Sequence, residues 1–337
     1  MRTAGTRTAL VIGILVGLVI VSVGMWVAGG LGNPAATFIA QATIGPTTQA
    51  TRVPSAGPSA SIGSDAPAST PIGSVVLLAA GDIASCTSTG DTATAKLLEA
   101  IDGTIATLGD SVYDNGTARE FRDCYDPTWG RFKDRTWPAP GNHEYHSSSA
   151  TPYFAYFGAR AGDPANGYYA YDLGAWRIYS LNSNCAEVGG CGAGSREVNW
   201  LAADLAAHPS QCVLAYWHHP RYSSGRHGSN SIVDGLWDTL YRAGAEIVLN
   251  GHDHSYERFA PQSDKGALDR AAGIVEFVVG TGGFTHYEFP YLLANSRAHD
   301  NTTFGVLELT LSPGSWSSHF LPIAGKTYTD PASGSCH

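Results

Sequence analysis

From residue 74 onward the apolar residues gather in short runs, and the first two end in a glycine followed by an aspartate: 75–80 closes on Gly81-Asp82 and 104–108 on Gly109-Asp110. Runs of five or six such residues fit strands covered on both faces. Between them, Ala95, Leu97, Leu98 and Ile101 form an apolar stripe that predicts a helix over 91–101, with Asp91 placed to cap it. Further strand-like runs lie at 176–181, 213–217, 247–249, 274–279 and 304–311, and helical patterns at 197–207 and 232–242. The order strand, acid-tipped loop, helix, strand predicts an α/β body whose later part is richer in strands.

The first 73 residues follow a different pattern. Residues 9–28 carry no charge and follow Arg2 and Arg7; at 1.5 Å per residue they are long enough for a bilayer core of roughly 30 Å. The basic flank is expected to stay inside and the rest of the chain to be exported. Residues 1–30 are therefore read as a signal peptide or membrane anchor. The anchor is favoured because a cleaved signal's apolar run is usually about 7 to 15 residues, although Ala40-Gln41-Ala42 leaves cleavage open. In 31–73, 31 of 43 residues are Gly, Pro, Ala, Ser or Thr, too few apolar groups for a core, so this is read as a disordered stalk. Residues 74–323 would then be the main folded domain and 324–337 a C-terminal tail. The protein is expected outside the cytoplasm, tethered to the membrane or secreted.

Composition narrows the function. With 43% hydrophobic and 15% charged residues the chain as a whole is neither disordered nor a coiled coil. Its 20 Lys+Arg against 29 Asp+Glu, net charge −9, provide no broad basic face, so no nucleic-acid-binding surface is expected. What remains is chemistry at the strand ends. Gly81-Asp82, Gly109-Asp110 with Tyr113, Gly141-Asn142-His143-Glu144, His218-His219-Pro220 and Gly251-His252-Asp253-His254 each follow a strand-like run. Ligands in open α/β sheets bind outside the carboxyl ends of strands, so these five loops should converge on one crevice.

These five motifs, in this order, resemble the calcineurin-like metallophosphoesterases, and Tyr113 places the resemblance nearest the purple acid phosphatase branch. It covers the body from Ser74 to about Pro322. The fold it implies is a four-layer α/β/β/α sandwich of two mixed sheets. It also implies two metal ions, Fe³⁺ plus Fe²⁺, Zn²⁺ or Mn²⁺. Asp82, Asp110, Tyr113 and His254 would hold the first ion; Asp110, Asn142, His218 and His252 the second, with Asp110 bridging. Carboxylates and a phenolate suit a hard ion, and imidazoles a softer divalent one. Many relatives have a histidine where Ala84 stands; Tyr113 would replace it. His219 would support the site from outside the coordination shell.

By the same resemblance, Asn142, His143 and His227 would contact the substrate, His143 as proton donor to the leaving group, with His227 on a flexible loop. Arg226 reads as a surface residue, the segment 281–283 as backbone passing near the metals, and Glu144, His286 and His299 have no assigned role. The implied activity is a phosphomonoesterase using a metal-bound hydroxide. A phosphodiesterase or nucleotide phosphatase would use the same core. A non-catalytic surface binding protein would be expected to have lost ligands, and all seven are present.

Sheet topology also bears on the six cysteines. Cys86 and Cys124 both fall on the crevice side, Cys185 and Cys191 can close a local loop, and Cys212 is left for Cys336. In an exported chain these are expected to be disulfides.

Overall fold

A computed structural model of the chain describes residues 73–209 and 212–337. The expected anchor, and all of the expected stalk except Gly73, lie outside the described residues. Among the described residues no helix is long and apolar enough to cross a membrane.

The strands in chain order are β1 (Val75–Ala80), β2 (Ala84–Ser85), β3 (Thr104–Leu108), β4 (Val112–Tyr113), β5 (Thr136–Ala139), β6 (Tyr169–Leu173), β7 (Trp176–Ser180) and β8 (Cys212–Tyr216). They continue as β9 (Ile247–Asn250), β10 (Tyr256–Phe259), β11 (Val275–Val279), β12 (Ser296–Asp300), β13 (Gly305–Ser312), β14 (Ser315–Pro322) and β15 (Pro331–Ser335). The three helices that matter most here are α1 (Gly90–Ala100), α2 (Arg196–Ala207) and α3 (Asp234–Arg242).

Two mixed sheets carry the fold. One has the order β15-β14-β13-β1-β3-β5 and the other β12-β10-β11-β9-β8-β7-β6, with β2 and β4 forming a small separate pair. Within the first sheet β1, β3 and β5 run parallel; within the second, β7, β8, β9 and β11 do. Parallel neighbours bring their carboxyl ends to one edge, which is why the polar loops of the sequence collect there.

Alternation along β8 explains the layering. Leu214 and Tyr216 join a core that also takes Leu77, Leu309 and Phe320 of the first sheet and Ala95 and Leu98 of α1. Val213 and Ala215 face the other way, into a second core with Leu201 of α2 and Leu236, Trp237 and Leu240 of α3. A buried strand whose two faces meet different layers needs apolar residues at every position, hence the unbroken run.

One expectation is corrected here. Thr89 occupies the N-cap position of α1, and Asp91 lies inside the first turn, where its buried carboxylate accepts a hydrogen bond from Thr128 Oγ1 at 3.0 Å. In the C-terminal tail, β15 pairs antiparallel with β14, and Cys336 is bonded to Cys212, the partner expected for it. Nothing in Pro-Ala-Ser-Gly-Ser alternates, so no local signal marked this edge strand. The other disulfides are Cys86–Cys124 and Cys185–Cys191, all three pairings as the topology suggested.

Candidate metal centre

The crevice forms where the carboxyl ends of β1, β3 and β5 meet those of β8, β9 and β11. Hydrogen bonds cross between the two sheets: Gly81 N to Val279 O at 2.9 Å, His252 N to Asp82 Oδ2 at 2.8 Å, and His218 Nδ1 with Leu108 O at 2.8 Å. The loops approach so closely that a Cβ on Gly141 would lie 2.1 Å from Asp110 Oδ1. Asp82, Asp110 and His252 hold left-handed backbone at φ of 60°, 48° and 70°. Such conformations cost about 1–3 kcal/mol each in a residue with a Cβ, and they tend to cluster at functional sites.

All seven residues read as metal ligands converge, around two hubs. Tyr113 Oη lies 2.7 Å from Asp82 Oδ1, 3.0 Å from Asp110 Oδ2 and 3.2 Å from His254 Nε2. His218 Nε2 lies 3.2 Å from Asp110 Oδ2, 3.1 Å from Asn142 Oδ1 and 3.2 Å from His252 Nδ1. One hydroxyl proton or one ring nitrogen cannot satisfy three such neighbours through hydrogen bonds. Carboxylate, phenol, amide oxygen and imidazole are all donor types for a cation, so the residues present fit two metal ions.

The charges point the same way. Burial opposes ionisation of Asp110, but His218 and His143 beside it outweigh burial and hold its carboxyl well below the usual range. Burial likewise opposes charge on His218, yet Asp110 lifts it to about 9. Burial and the neighbouring cationic His218 push His252 down, while burial and the charges of Asp110 and Asp82 push Tyr113 up. A cation between Asp82 and Asp110 would take the balancing role of the His218 proton and favour the Tyr113 phenolate.

His143 also reaches the centre. Its backbone N donates to Asp110 Oδ1 at 2.9 Å, its Nδ1 is 2.7 Å from the Asp114 carbonyl, and its Nε2 lies 3.9 Å from Asp110 Oδ2. His227 is exposed, with its ring centroid 4.3 Å from that of His252. Its loop is tied down by polar contacts: His227 N donates to Asp253 Oδ1 at 2.7 Å, Ser224 N to Glu257 Oε2 at 2.8 Å and Arg221 N to Glu276 Oε1 at 2.8 Å. The segment 281–283 packs its backbone on the first loop, Gly282 N donating to Gly81 O at 2.9 Å. His286 turns away and stacks on Phe304.

Sequence reasoning gave no role to Glu144. It is fully buried, and its carboxylate accepts from the backbone N of Asp110 (3.0 Å), Ser111 (2.8 Å) and Gly141 (2.7 Å), so it clamps two ligand loops together. Burial and the nearby Asp110 push it up to about 8. Thr285 Oγ1, 2.6 Å from His254 Nδ1, and Tyr287, stacked on the His254 ring at 4.0 Å, were also missed. Both lie far from the ligands in sequence, with no motif around them.

The chain belongs to the calcineurin-like phosphoesterase family, whose profile matches residues 75–256. Within that family it is purple acid phosphatase-like. Purple acid phosphatase 15 of Arabidopsis thaliana is 28% identical over 240 residues, covering 60% of this chain and 44% of that protein. Human acid phosphatase type 7 is 31% identical over 146 residues, 36% of this chain and 32% of that protein. The matches thus span less than half the length of these relatives. In fold, the chain is similar to a purple acid phosphatase from yellow lupin seeds, with a TM-score of 0.63 at 19% identity over 78% of this chain and 54% of the other. It is also similar to GAP50, the anchor in the inner membrane complex of Plasmodium, with a TM-score of 0.60 at 14% identity over 78% and 89%.

Proposed function

We propose that this chain is a dinuclear-metal phosphoric ester hydrolase, an exported phosphomonoesterase of the acid phosphatase type. The observation that carries the reading is Asp110 Oδ2, one oxygen within 3.2 Å of both hubs of donor atoms. The first site would consist of Asp82, Asp110, Tyr113 and His254, with Fe³⁺ favoured by the phenol and carboxylates. The second would consist of Asp110, Asn142, His218 and His252, for Fe²⁺, Zn²⁺ or Mn²⁺. When bound, such a pair of ions supplies Lewis acidity for a phosphate ester and lowers the pKa of water.

The protein's own residues do the rest. Glu144 and the cross-sheet hydrogen bonds hold the ligand loops in place before substrate arrives, which lowers the ordering cost at reaction. His143 acts as the proton donor. Because the Asp114 carbonyl accepts from Nδ1–H, the exchangeable proton sits on Nε2, the nitrogen nearer Asp110. His227, on its tied loop, contacts the phosphate from the His252 side.

Export is supported by three disulfides, which persist in oxidising compartments, and by the apolar stretch at 9–28 as a signal or membrane tether. The catalytic domain would run through 74–323. The test is a panel of phosphate mono- and diesters assayed on the purified chain with metal content measured in parallel. Hydrolysis of monoesters well above diesters supports the reading; a diester preference would favour a phosphodiesterase, and no hydrolysis with both ions bound would favour a binding protein.

A further inference from the structure

Three adjacent imidazoles, those of His218, His219 and His252, each offer a ring nitrogen within 4.8 Å of the other two. The reading above uses His218 and His252 and leaves His219 outside the coordination shell. Its placement argues for more. The His219 ring centroid lies 4.4 Å from that of His252 and 4.9 Å from that of His218.

The ring is also fixed. Ser183 Oγ accepts the His219 backbone N–H at 2.9 Å and lies 2.8 Å from Nδ1, while Trp217 Nε1 donates to the His219 carbonyl at 2.8 Å. Nε2 has no hydrogen-bond partner among the described residues, and in the tautomer whose Nδ1–H donates to Ser183 Oγ its lone pair is free for a cation. This is the arrangement seen in metal-binding histidines generally: one nitrogen donates to a fixed acceptor, which sets the tautomer and aims the other.

We propose that His219 is a further ligand at the second metal position, giving that site three imidazoles, His218, His219 and His252, beside Asp110 and Asn142. The inference rests on the reading that His218 and His252 hold a metal ion. An imidazole-rich donor set suits Zn²⁺ over Mn²⁺ or Mg²⁺, whose usual ligands are oxygens. The second position of this chain is therefore zinc-selective.

The test is titration of metal-stripped full-length protein with Zn²⁺ and with Mn²⁺ against a chromophoric chelator, with Co²⁺ absorption as an independent report of second-site ligation. Wild type should bind two Zn²⁺ per chain. His219→Ala should keep the first ion and weaken Zn²⁺ at the second by about tenfold or more, with a smaller loss for Mn²⁺ and a changed Co²⁺ spectrum. Should His219→Ala fail to fold by near-ultraviolet circular dichroism, Ser183→Ala, which removes the hydroxyl that holds Nδ1 and the backbone N of His219 but leaves the imidazole, should weaken second-site Zn²⁺ in the same direction. Unchanged second-site affinity and an unchanged Co²⁺ spectrum in the folded variant would overturn the role of His219 and leave the dinuclear reading intact. A wild-type chain that binds no ion would overturn both.

Discussion

Tyr113, on β4, and His218, on the loop after β8, approach the same atom: Oδ2 of Asp110 lies 3.0 Å from the Tyr113 hydroxyl and 3.2 Å from His218 Nε2. The two clusters of donor atoms therefore meet at one carboxylate oxygen. That geometry needs three loops held within hydrogen-bonding distance, and the glycines before Asp110 and Asn142, together with the buried carboxylate of Glu144, allow it.

The proton-donor role of His143 predicts a dependence on the leaving group. General acid catalysis contributes about 10²- to 10⁴-fold, mostly where the departing oxygen needs a proton. His143→Ala should retain both metals and slow alkyl phosphates far more than nitrophenyl phosphate. Equal losses for both substrates would assign His143 to phosphate binding instead.

Tyr113 predicts colour. A phenolate on Fe³⁺ gives a charge-transfer band in the visible, and no other residue assigned to the centre can produce one. Iron-loaded protein should be pink to purple, and Tyr113→Phe should bleach it without unfolding the chain. A variant that stays coloured would remove Tyr113 from the coordination sphere; a colourless, iron-free, active wild type would put Zn²⁺ or Mn²⁺ at the first site.

Stability should fall as pH rises through the neutral range, owing to Glu197. Its Oε1 accepts from Asn182 N at 2.7 Å, Oε2 is buried without a hydrogen-bond partner among the described residues, and burial raises the group from 4.5 to about 8. Between these values the folded chain holds a proton that the unfolded chain has lost. The stabilising contribution is complete below about 4.5 and is lost as pH rises through about 8. Glu197→Gln, which mimics the protonated acid, should flatten this slope in urea melts at pH 5 and 8. An unchanged slope would show that Glu197 is ionised in the fold.

The disulfides should differ in their contribution. Cys212–Cys336 closes 124 residues and Cys185–Cys191 only six. Chain-entropy reasoning gives the longer loop the larger effect, with removal costing about 2–5 kcal/mol. Cys336→Ser should lower the urea midpoint more than Cys191→Ser, and thiol titration of the unreduced, denatured wild type should find no reactive thiols. The reverse order of midpoints, or six titratable thiols, would contradict this.

The residues that converge at the crevice were legible in the sequence because most of them sit just after a strand, where the local pattern of apolar run, glycine and polar residue survives without knowledge of the fold. Helices α1, α2 and α3 were legible from their stripes to within one or two residues, whereas the helix Thr151–Phe157 was not read. What was hidden depends on packing between distant segments. Ser183, Thr285 and Tyr287 meet His219 and His254 only because neighbouring strands of the second sheet, β7 beside β8 and β11 beside β9, bring their loops together. Asp91 looked like a cap because only burial beside Thr128 distinguishes it from one. Residues 331–335 lack alternation, and their place as an edge strand is set by pairing with β14 and by Cys336.

The most direct test of the dinuclear reading is the metal content and turnover of Asp110→Asn, measured on the same preparation as wild type. Asp110 Oδ2 is the atom the two hubs share, and an amide cannot supply the same bridging charge. The variant should keep its fold, lose at least one of two ions and lose nearly all hydrolysis of phosphate monoesters. Two ions per chain with near-wild-type turnover would contradict a carboxylate-bridged centre at Asp110.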